Sequence, residues 1–267
     1  MVKVVACIIA RTVSTRLPLK VLRDVGNGMS ILDFLINRLK SVKEIDEIFI
    51  CTSTEPVDDI LEDVASRNSI NIYRGSADQV IERMLKVGAI TNADYLIRIT
   101  GDNPFTSIEH ISTQVEMIEK EELDYVRLVN VPVGATTEVI KYQALLRCNE
   151  MMDPDVSEYM MLYLFEPHNF KCGVIIPYVA DYSHYSVTVD TQQDFVRTRR
   201  VVEVLKEKAP EEIMLEDILA LYTNAEISIP FAEIKAVDEV KLPYNKKVSY
   251  TEFKKDMDRR ISQSVQL

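Results

Sequence analysis

Arg11, Arg16 and Lys20 lie within ten residues of one another, just past an apolar run from Val4 to Ala10. Guanidinium forks grip phosphate oxygens bidentately and a lysine adds a mobile point charge, so such a trio can hold a triphosphate without a glycine-rich cradle. The same trio also reads as three solvated loop cations. Asp102 stands in a second group, Arg98-Ile99-Thr100-Gly101-Asp102-Asn103-Pro104. A carboxylate at a strand terminus suits a hard divalent cation such as Mg²⁺, which takes one or two protein carboxylates plus substrate phosphate oxygens. An Asx-type turn accounts for the same residues without chemistry. Asp190 again ends an extended run, Tyr185 to Val189, just before a helix. Helix N-capping is the commonest reason for Asp there. If that run lies beside the one ending in Asp102, the two carboxylates can share one metal. Arg74-Gly75-Ser76-Ala77-Asp78 either lines a base or sugar pocket or simply joins a strand to a helix. His110, His168 and His184 have no nucleophile pattern around them, and no GxSxG elbow is present.

Apolar periodicity gives the elements that must position these groups. The run through Ala10 predicts a strand buried on both faces of a mostly parallel sheet. Ser30 with Asp33 predicts a capping box, and Glu47 to Cys51 a second strand. Pro56 opens the next helix, followed by a short strand at Asn71 to Tyr73. Ser76 with Gln79 and Thr106 with Glu109 predict two further capping boxes, on either side of a strand at Tyr95 to Ile99. This alternation, running through Leu128, predicts a three-layer α/β/α fold, doubly wound and Rossmann-like, with ligands beyond the carboxyl ends of the strands. Further on, strands are expected at Glu138 to Lys141, Cys172 to Ile176 and Tyr185 to Val189. Helices are expected at Gln143 to Met151, Val156 to Phe165, Gln192 to about Lys208 and Leu215 to Tyr222, before a polar tail from Glu226.

Composition narrows the chemistry. The 267 residues carry 31 Lys and Arg against 42 Asp and Glu, a net charge of −11, which argues against nucleic-acid backbones and anionic lipid as partners. With seven glycines and neither GxGxxG nor GxxxxGK[ST], an NAD dehydrogenase and a P-loop kinase are disfavoured. Cys7, Cys51, Cys148 and Cys172 are widely spaced, signalling neither zinc nor a disulfide framework, so a reducing cytoplasm is the expected location. No apolar stretch has the length of a membrane helix or a signal peptide core.

The stretch from Ile8 to Leu22, with Ala10-Arg11, Ser14-Thr15-Arg16-Leu17-Pro18 and Lys20-Val21-Leu22, resembles the opening of the spore-coat polysaccharide biosynthesis cytidylyltransferases. It is similar to the sugar-acid cytidylyltransferases, those of the CMP-KDO synthetase type, more broadly. Cys51-Thr52-Ser53-Thr54, Arg74-Gly75-Ser76, Arg98 to Pro104, Thr137-Glu138-Val139 and Val187 to Thr191 follow in family order. The resemblance implies a GT-A type nucleotide-diphospho-sugar transferase fold over residues 1–225, with 226–267 as an extension of unassigned role. It implies transfer of CMP from CTP to a sugar acid or related acidic metabolite, with release of pyrophosphate, in surface-glycan synthesis. Arg11, Arg16 and Lys20 would hold the triphosphate, and Asp102 and Asp190 would bind Mg²⁺, one of them near the attacking hydroxyl. Ile9, Ala10, Ser14, Thr100, Gly101, Asn103 and Glu138 would complete the nucleotide site, with Arg74 and Ser76 facing nucleotide or sugar. A homodimer is implied as well. Family members usually carry Gln at the place of Ile9 and Gly at those of Val13 and Leu19, and 156–165 lacks their His-Thr-Pro run. Another triphosphate, or nucleotide binding without turnover, are the alternatives those departures raise.

Overall fold

A computed structural model describes residues 2–223, 229 and 232–267. Strand β1 (Val4–Ile9) sits near the middle of an eight-stranded sheet. Its side chains alternate between two cores. Val4, Ala6 and Ile8 face one layer of helices, whereas Val5 and Cys7 face the other, which is why the run is apolar at every position. A small hairpin, β2 (Asp24–Gly26) with β3 (Met29–Ser30), leads into helix α1 (Ile31–Lys40). The expected capping box forms there between Ser30 and Asp33. Then come β4 (Glu47–Ser53), α2 (Ile60–Arg67), β5 (Asn71–Gly75), α3 (Val80–Thr91), β6 (Tyr95–Thr100), α4 (Ile111–Lys120) and β7 (Tyr125–Leu128). Next are β8 (Glu138–Lys141), α5 (Tyr142–Met151), α6 (Met160–Leu164) and β9 (Cys172–Ile175). The chain finishes with β10 (Tyr185–Ser186), α7 (Gln192–Val204), α8 (Leu215–Thr223), β11 (Ala232–Glu233), β12 (Glu239–Lys241), β13 (Lys247–Ser249), α9 (Tyr250–Ser262) and β14 (Val265–Gln266).

The sheet order is β14-β9-β7-β8-β6-β1-β4-β5, parallel throughout except that β8 runs against both β6 and β7. Helices α1, α2, α4, α7 and α8 pack in one core and α3, α5, α6 and α9 in the other, giving three layers. The fold is therefore the expected α/β/α class, with a mixed, mostly parallel sheet. The boundary expected at 225/226 lies outside the described residues. Beyond it, β14 extends the main sheet beside β9 and Met257 of α9 enters the second core.

Several local expectations give way to tertiary demands. Helix α3 begins at Val80 with Gln79 as an N-cap that makes no side-chain bond, so the Ser76/Gln79 box does not form. Buried Arg83 instead takes the carbonyls of Ser76 and Ala77 and holds that segment as a loop. The Thr106/Glu109 box is likewise absent. Thr106 donates to Asn103 O at 2.9 Å and its carbonyl receives Arg38 Nη2, while Glu109 accepts from Leu215 N at 2.9 Å, and α4 starts only at Ile111. The strand expected over Tyr185 to Val189 shrinks to Tyr185–Ser186, paired with β11 rather than the main sheet. The rest of that run bonds singly, Val187 N to Val133 O at 2.8 Å and Val189 N to Asp102 O at 2.9 Å. Helix α7 stops at Val204, four residues short of Lys208. The helix expected over Val156 to Phe165 divides into a 3-10 stretch over Pro154–Tyr159 and the short α6.

Candidate active site

The loop after β1 is fastened before it can present cations. Thr12 donates both its N–H and its hydroxyl to Asp58 Oδ1, each at 2.7 Å, and Ser53 donates to the other Asp58 oxygen. Burial pushes the Asp58 carboxyl up, but the Ser53 and Thr12 hydrogen bonds outweigh it and hold the group below the ordinary aspartate value. Leu17 is buried as a plug, and Leu19 N closes the loop onto Thr12 O at 3.1 Å. Leu19 itself adopts φ 55°, ψ 27°, the left-handed conformation in which an L side chain costs about 1–2 kcal/mol. That geometry explains why glycine suits this place in the family the sequence resembles. Asp58 was not a sequence candidate, because nothing in its local spacing marks it as the anchor of a distant loop.

Lys20 opens a 3-10 turn directly after this constraint and reaches back across the strand ends. Its Nζ lies 2.6 Å from Asp102 Oδ2 and 2.9 Å from Asp190 Oδ1, while Arg16 Nη2 stands 3.0 Å from the same Asp190 oxygen. Burial opposes the charge on Lys20, yet Asp102 and Asp190 together hold its ammonium above the ordinary lysine value. Asp102 arrives at the end of β6. Asp190 is left free to face it because Thr191, not Asp190, caps α7, in a capping box with Asp194. Asp194 also receives Asp190 N at 3.2 Å, which fixes the chain on both sides of the carboxylate. The two acids therefore meet through the backbone contact between Asp102 and Val189 rather than as neighbouring strands.

The remaining sequence candidates divide into groups. Ile9, Ala10, Thr100, Gly101 and Asn103 line the adjoining ends of β1 and β6, with Gly101 N donating to Ile9 O at 2.8 Å. A Cβ on Gly101 would stand 2.9 Å from Ala10 Cβ, so the close approach of these ends requires glycine. Asn103 donates to Thr100 Oγ1 at 2.6 Å, and its buried Oδ1 has no partner among the described residues. Ser14 accepts from Leu17 N at 3.3 Å and serves the loop's own turn. Arg11 is exposed and donates to Ala77 O at 3.1 Å, beside the Ser76 loop. Arg74 is turned away from the Lys20 cluster. Its guanidinium is engaged by Ser53 O, Glu55 O, Asp59 and Glu62, four acceptors on the approach to α2 and its first turn. Glu138 is buried on β8, taking Arg98 Nη1 at 2.5 Å and the Tyr125 hydroxyl at 2.5 Å. Burial raises its pKa, but Arg98 and Arg127 outweigh that and keep it below the ordinary glutamate value.

Two carboxylates that one ammonium can bridge form a donor set suited to a hard divalent cation. Among the described residues no three His, Cys, Asp or Glu side chains gather to hold a metal unaided. A divalent cation held by Asp102 and Asp190 would need further oxygens, such as those of a phosphate-bearing substrate. Residues 5–227 match the cytidylyltransferase family. The chain belongs to that family, and is a nucleotidyltransferase. A spore coat polysaccharide biosynthesis protein, SpsF of Bacillus subtilis, is 30% identical over 210 residues, covering 76% of this chain and 85% of the relative. A 3-deoxy-manno-octulosonate cytidylyltransferase of Koribacter versatilis is 31% identical over 136 residues, half of this chain and 49% of that protein. The solved structure of a cytidylyltransferase from Leptospira borgpetersenii superposes with a TM-score of 0.77 at 26% identity, over 85% of this chain and 97% of its own. In this cytidylyltransferase no helix among the described residues is long and apolar enough to cross a membrane.

Proposed function

We propose that the chain transfers CMP from CTP to a hydroxyl of a sugar acid or related acidic metabolite, releasing pyrophosphate, as a cytoplasmic step in surface-glycan synthesis. The observation that carries this reading is the meeting of Arg16, Lys20, Asp102 and Asp190 at the carboxyl ends of the strands. The relatives named as a spore coat polysaccharide biosynthesis protein and a 3-deoxy-manno-octulosonate cytidylyltransferase support the acceptor class and the pathway.

The acceptor oxygen attacks the α-phosphorus, the bond to the β-phosphate oxygen breaks, and the hydroxyl proton departs with the attack. Such a displacement needs charge neutralisation and in-line positioning, and no covalent protein nucleophile. Lys20 and Arg16 are the chain's own cations for the triphosphate and the leaving pyrophosphate, with exposed Arg11 at the loop's entrance. Asp102 and Asp190 would hold Mg²⁺, which supplies charge neutralisation at the phosphate oxygens when bound. When phosphates draw Lys20 away from the two carboxylates, their charge is free to accept the proton or a cation.

The test is the melting temperature with CTP, UTP, ATP and GTP, each with and without Mg²⁺. A ligand at 100 times its dissociation constant adds about 2.7 kcal/mol. A CTP-selective rise that needs Mg²⁺ is expected. A rise with another triphosphate instead would move the base choice to Ile9, which stands where the resembled family carries Gln. No rise with any would leave the loop without a triphosphate and overturn the reading.

A further inference from the structure

A cavity of about 380 Å³ begins at Thr100 and Asn103, beside Asp102, and is roofed by a part of the chain that lies outside the matched family region. Tyr250, Phe253, Met257 and Ile261 line it at the three- and four-residue spacing of one helix face of α9. This roof is well fastened. Arg260 donates to Leu162 O and Phe165 O, each at 2.7 Å, Arg259 pairs with Glu166 at 2.9 Å, and Tyr250 donates to Ser183 O at 2.8 Å. Beyond α9, β14 pairs with β9 in the main sheet.

The floor is charged and not internally balanced. Arg98 is ion-paired with Glu138, whereas Arg127 acts on that carboxylate only at a distance and forms no ion pair among the described residues. Its Nε reaches Leu128 O at 3.4 Å and its guanidinium lies 5.2 Å from the Phe165 ring centre. Its terminal nitrogens donate to no protein group among the described residues, and Nη1 is buried. On this floor Arg98 and Arg127 against Glu138 leave one net positive charge, while Glu158, Lys241 and Lys254, the last paired with Asp181 and Asp258, line the rest of a half-enclosed, largely apolar cavity. A half-buried guanidinium with a buried nitrogen left unbonded is costly, and a monoanion relieves the cost. A guanidinium fork matches the two oxygens of a carboxylate.

We propose that this cavity is the acceptor site, that Arg127 holds the acceptor's carboxylate, and that the α9 face decides which acceptor bodies fit. The inference rests on the cytidylyl-transfer reading above and adds to it the group recognised and the element that selects. The aromatic and aliphatic roof favours an acceptor whose far end carries deoxy, methyl or acyl groups rather than a full set of hydroxyls.

The test uses the full chain, with CTP binding read first as a melting shift. Pyrophosphate release is then followed with CTP and a panel of sugar acids, including 3-deoxy-manno-octulosonate and N-acylated nine-carbon sugar acids. Each acid is matched with the neutral alcohol made by reducing its carboxyl. Acids alone are expected to turn over. Arg127→Gln should raise KM for the acid about tenfold or more, while KM for CTP stays within about twofold. Arg127→Lys should recover part of the loss, and Phe253→Trp, which fills the cavity from α9, should raise the same KM. Neutral analogues that serve equally well, an unchanged acid KM in Arg127→Gln, or a CTP shift with no acid turned over would each overturn the proposal. No CTP shift at all would overturn the nucleotide reading, and this inference with it.

Discussion

The ammonium of Lys20 lies 2.6 Å from Asp102 Oδ2, and the same nitrogen is 2.9 Å from Asp190. The lysine thus occupies the position between two acids that a divalent cation would take, while remaining long enough to turn toward a phosphate. Lys20→Met removes both roles. Loss of one positioned cation at a developing phosphate charge corresponds to about 10²–10³ in turnover, so pyrophosphate release should fall by that order. With Asp102 left without its cation and Asp190 holding only the exposed Arg16, Mg²⁺ alone should also raise the variant's melting temperature more than the parent's. Wild-type turnover in Lys20→Met would refute the assignment.

Asp102→Asn and Asp190→Asn separate the proposed metal-binding role from folding. Neither carboxylate is deeply buried, and each amide keeps the shape of the acid, so stability should change by about 1 kcal/mol or less by urea unfolding. Mg²⁺-dependent pyrophosphate release should nevertheless be abolished in both. Full activity retained in both variants would remove the metal from these residues.

Asp190 is also held by a glycine on a neighbouring loop. Gly134 has φ +94°, and a Cβ there would lie 2.7 Å from Thr188 N and 3.0 Å from Asn103 Oδ1. Gly134→Ala must push away the backbone two residues before Asp190, or move Asn103 beside Asp102. The expected cost is about 1–3 kcal/mol, and each kcal/mol lowers the melting temperature of a chain of this size by about 2–4 °C. Activity should fall further than stability does. Gly28→Ala is the control, since Gly28 has φ +73° but nothing within 4 Å of its Cβ, and activity there should persist.

How much of this was readable from the chain alone depends on the range of each interaction. The continuous apolar run of β1, the Ser30/Asp33 box and the strand-helix alternation are local, and the structure forms them. Lys20, Asp102 and Asp190 each carried a local signal, but their meeting depends on Val189 N bonding Asp102 O, a contact no spacing reveals. The Ser76/Gln79 and Thr106/Glu109 boxes had the right letters, yet Arg83 seven residues on takes the Ser76 carbonyl, and across the fold Arg38 takes the Thr106 carbonyl and Leu215 N the Glu109 carboxylate. Arg74 could be placed on a strand end but not aimed, because its partners lie in the next βα connection. Arg127 was missed altogether. Its signal was a lone charge within the apolar strand Tyr125–Leu128, intelligible only once α9 is seen to cover it.

The Arg98 and Glu138 pair tests whether the cavity floor is an electrostatic unit. Glu138 is 5% exposed, and removing its arginine leaves a buried anion facing the Tyr125 hydroxyl. Arg98→Met should destabilise the chain by about 3–5 kcal/mol in urea unfolding. Arg98→Met with Glu138→Leu should recover a large part of that loss, because both charges then leave together. Additive losses in the double variant would show the two residues to be uncoupled.

Asp33 gives a pH dependence of defined sign. Burial alone would raise its carboxyl, but Arg67, Ser30 and Asn68 outweigh that and bring it down to about 2. Arg67 Nη2 stands at 2.7 Å and Asn68 Nδ2 at 2.6 Å, so the acid that completes the α1 capping box also ties α1 to α2. A folded-state value below the unfolded one means the stabilisation is full above the unfolded pKa, about 3.9, and is lost as pH falls through the folded value. Asp33→Asn should therefore lower stability by about 2 kcal/mol at neutral pH, with the gap to the parent closing between about pH 4 and pH 2. Equilibrium unfolding across that range reads the difference directly. A gap that stays constant down to about pH 2 would mean that the loss in Asp33→Asn is steric and that the carboxylate's charge contributes nothing.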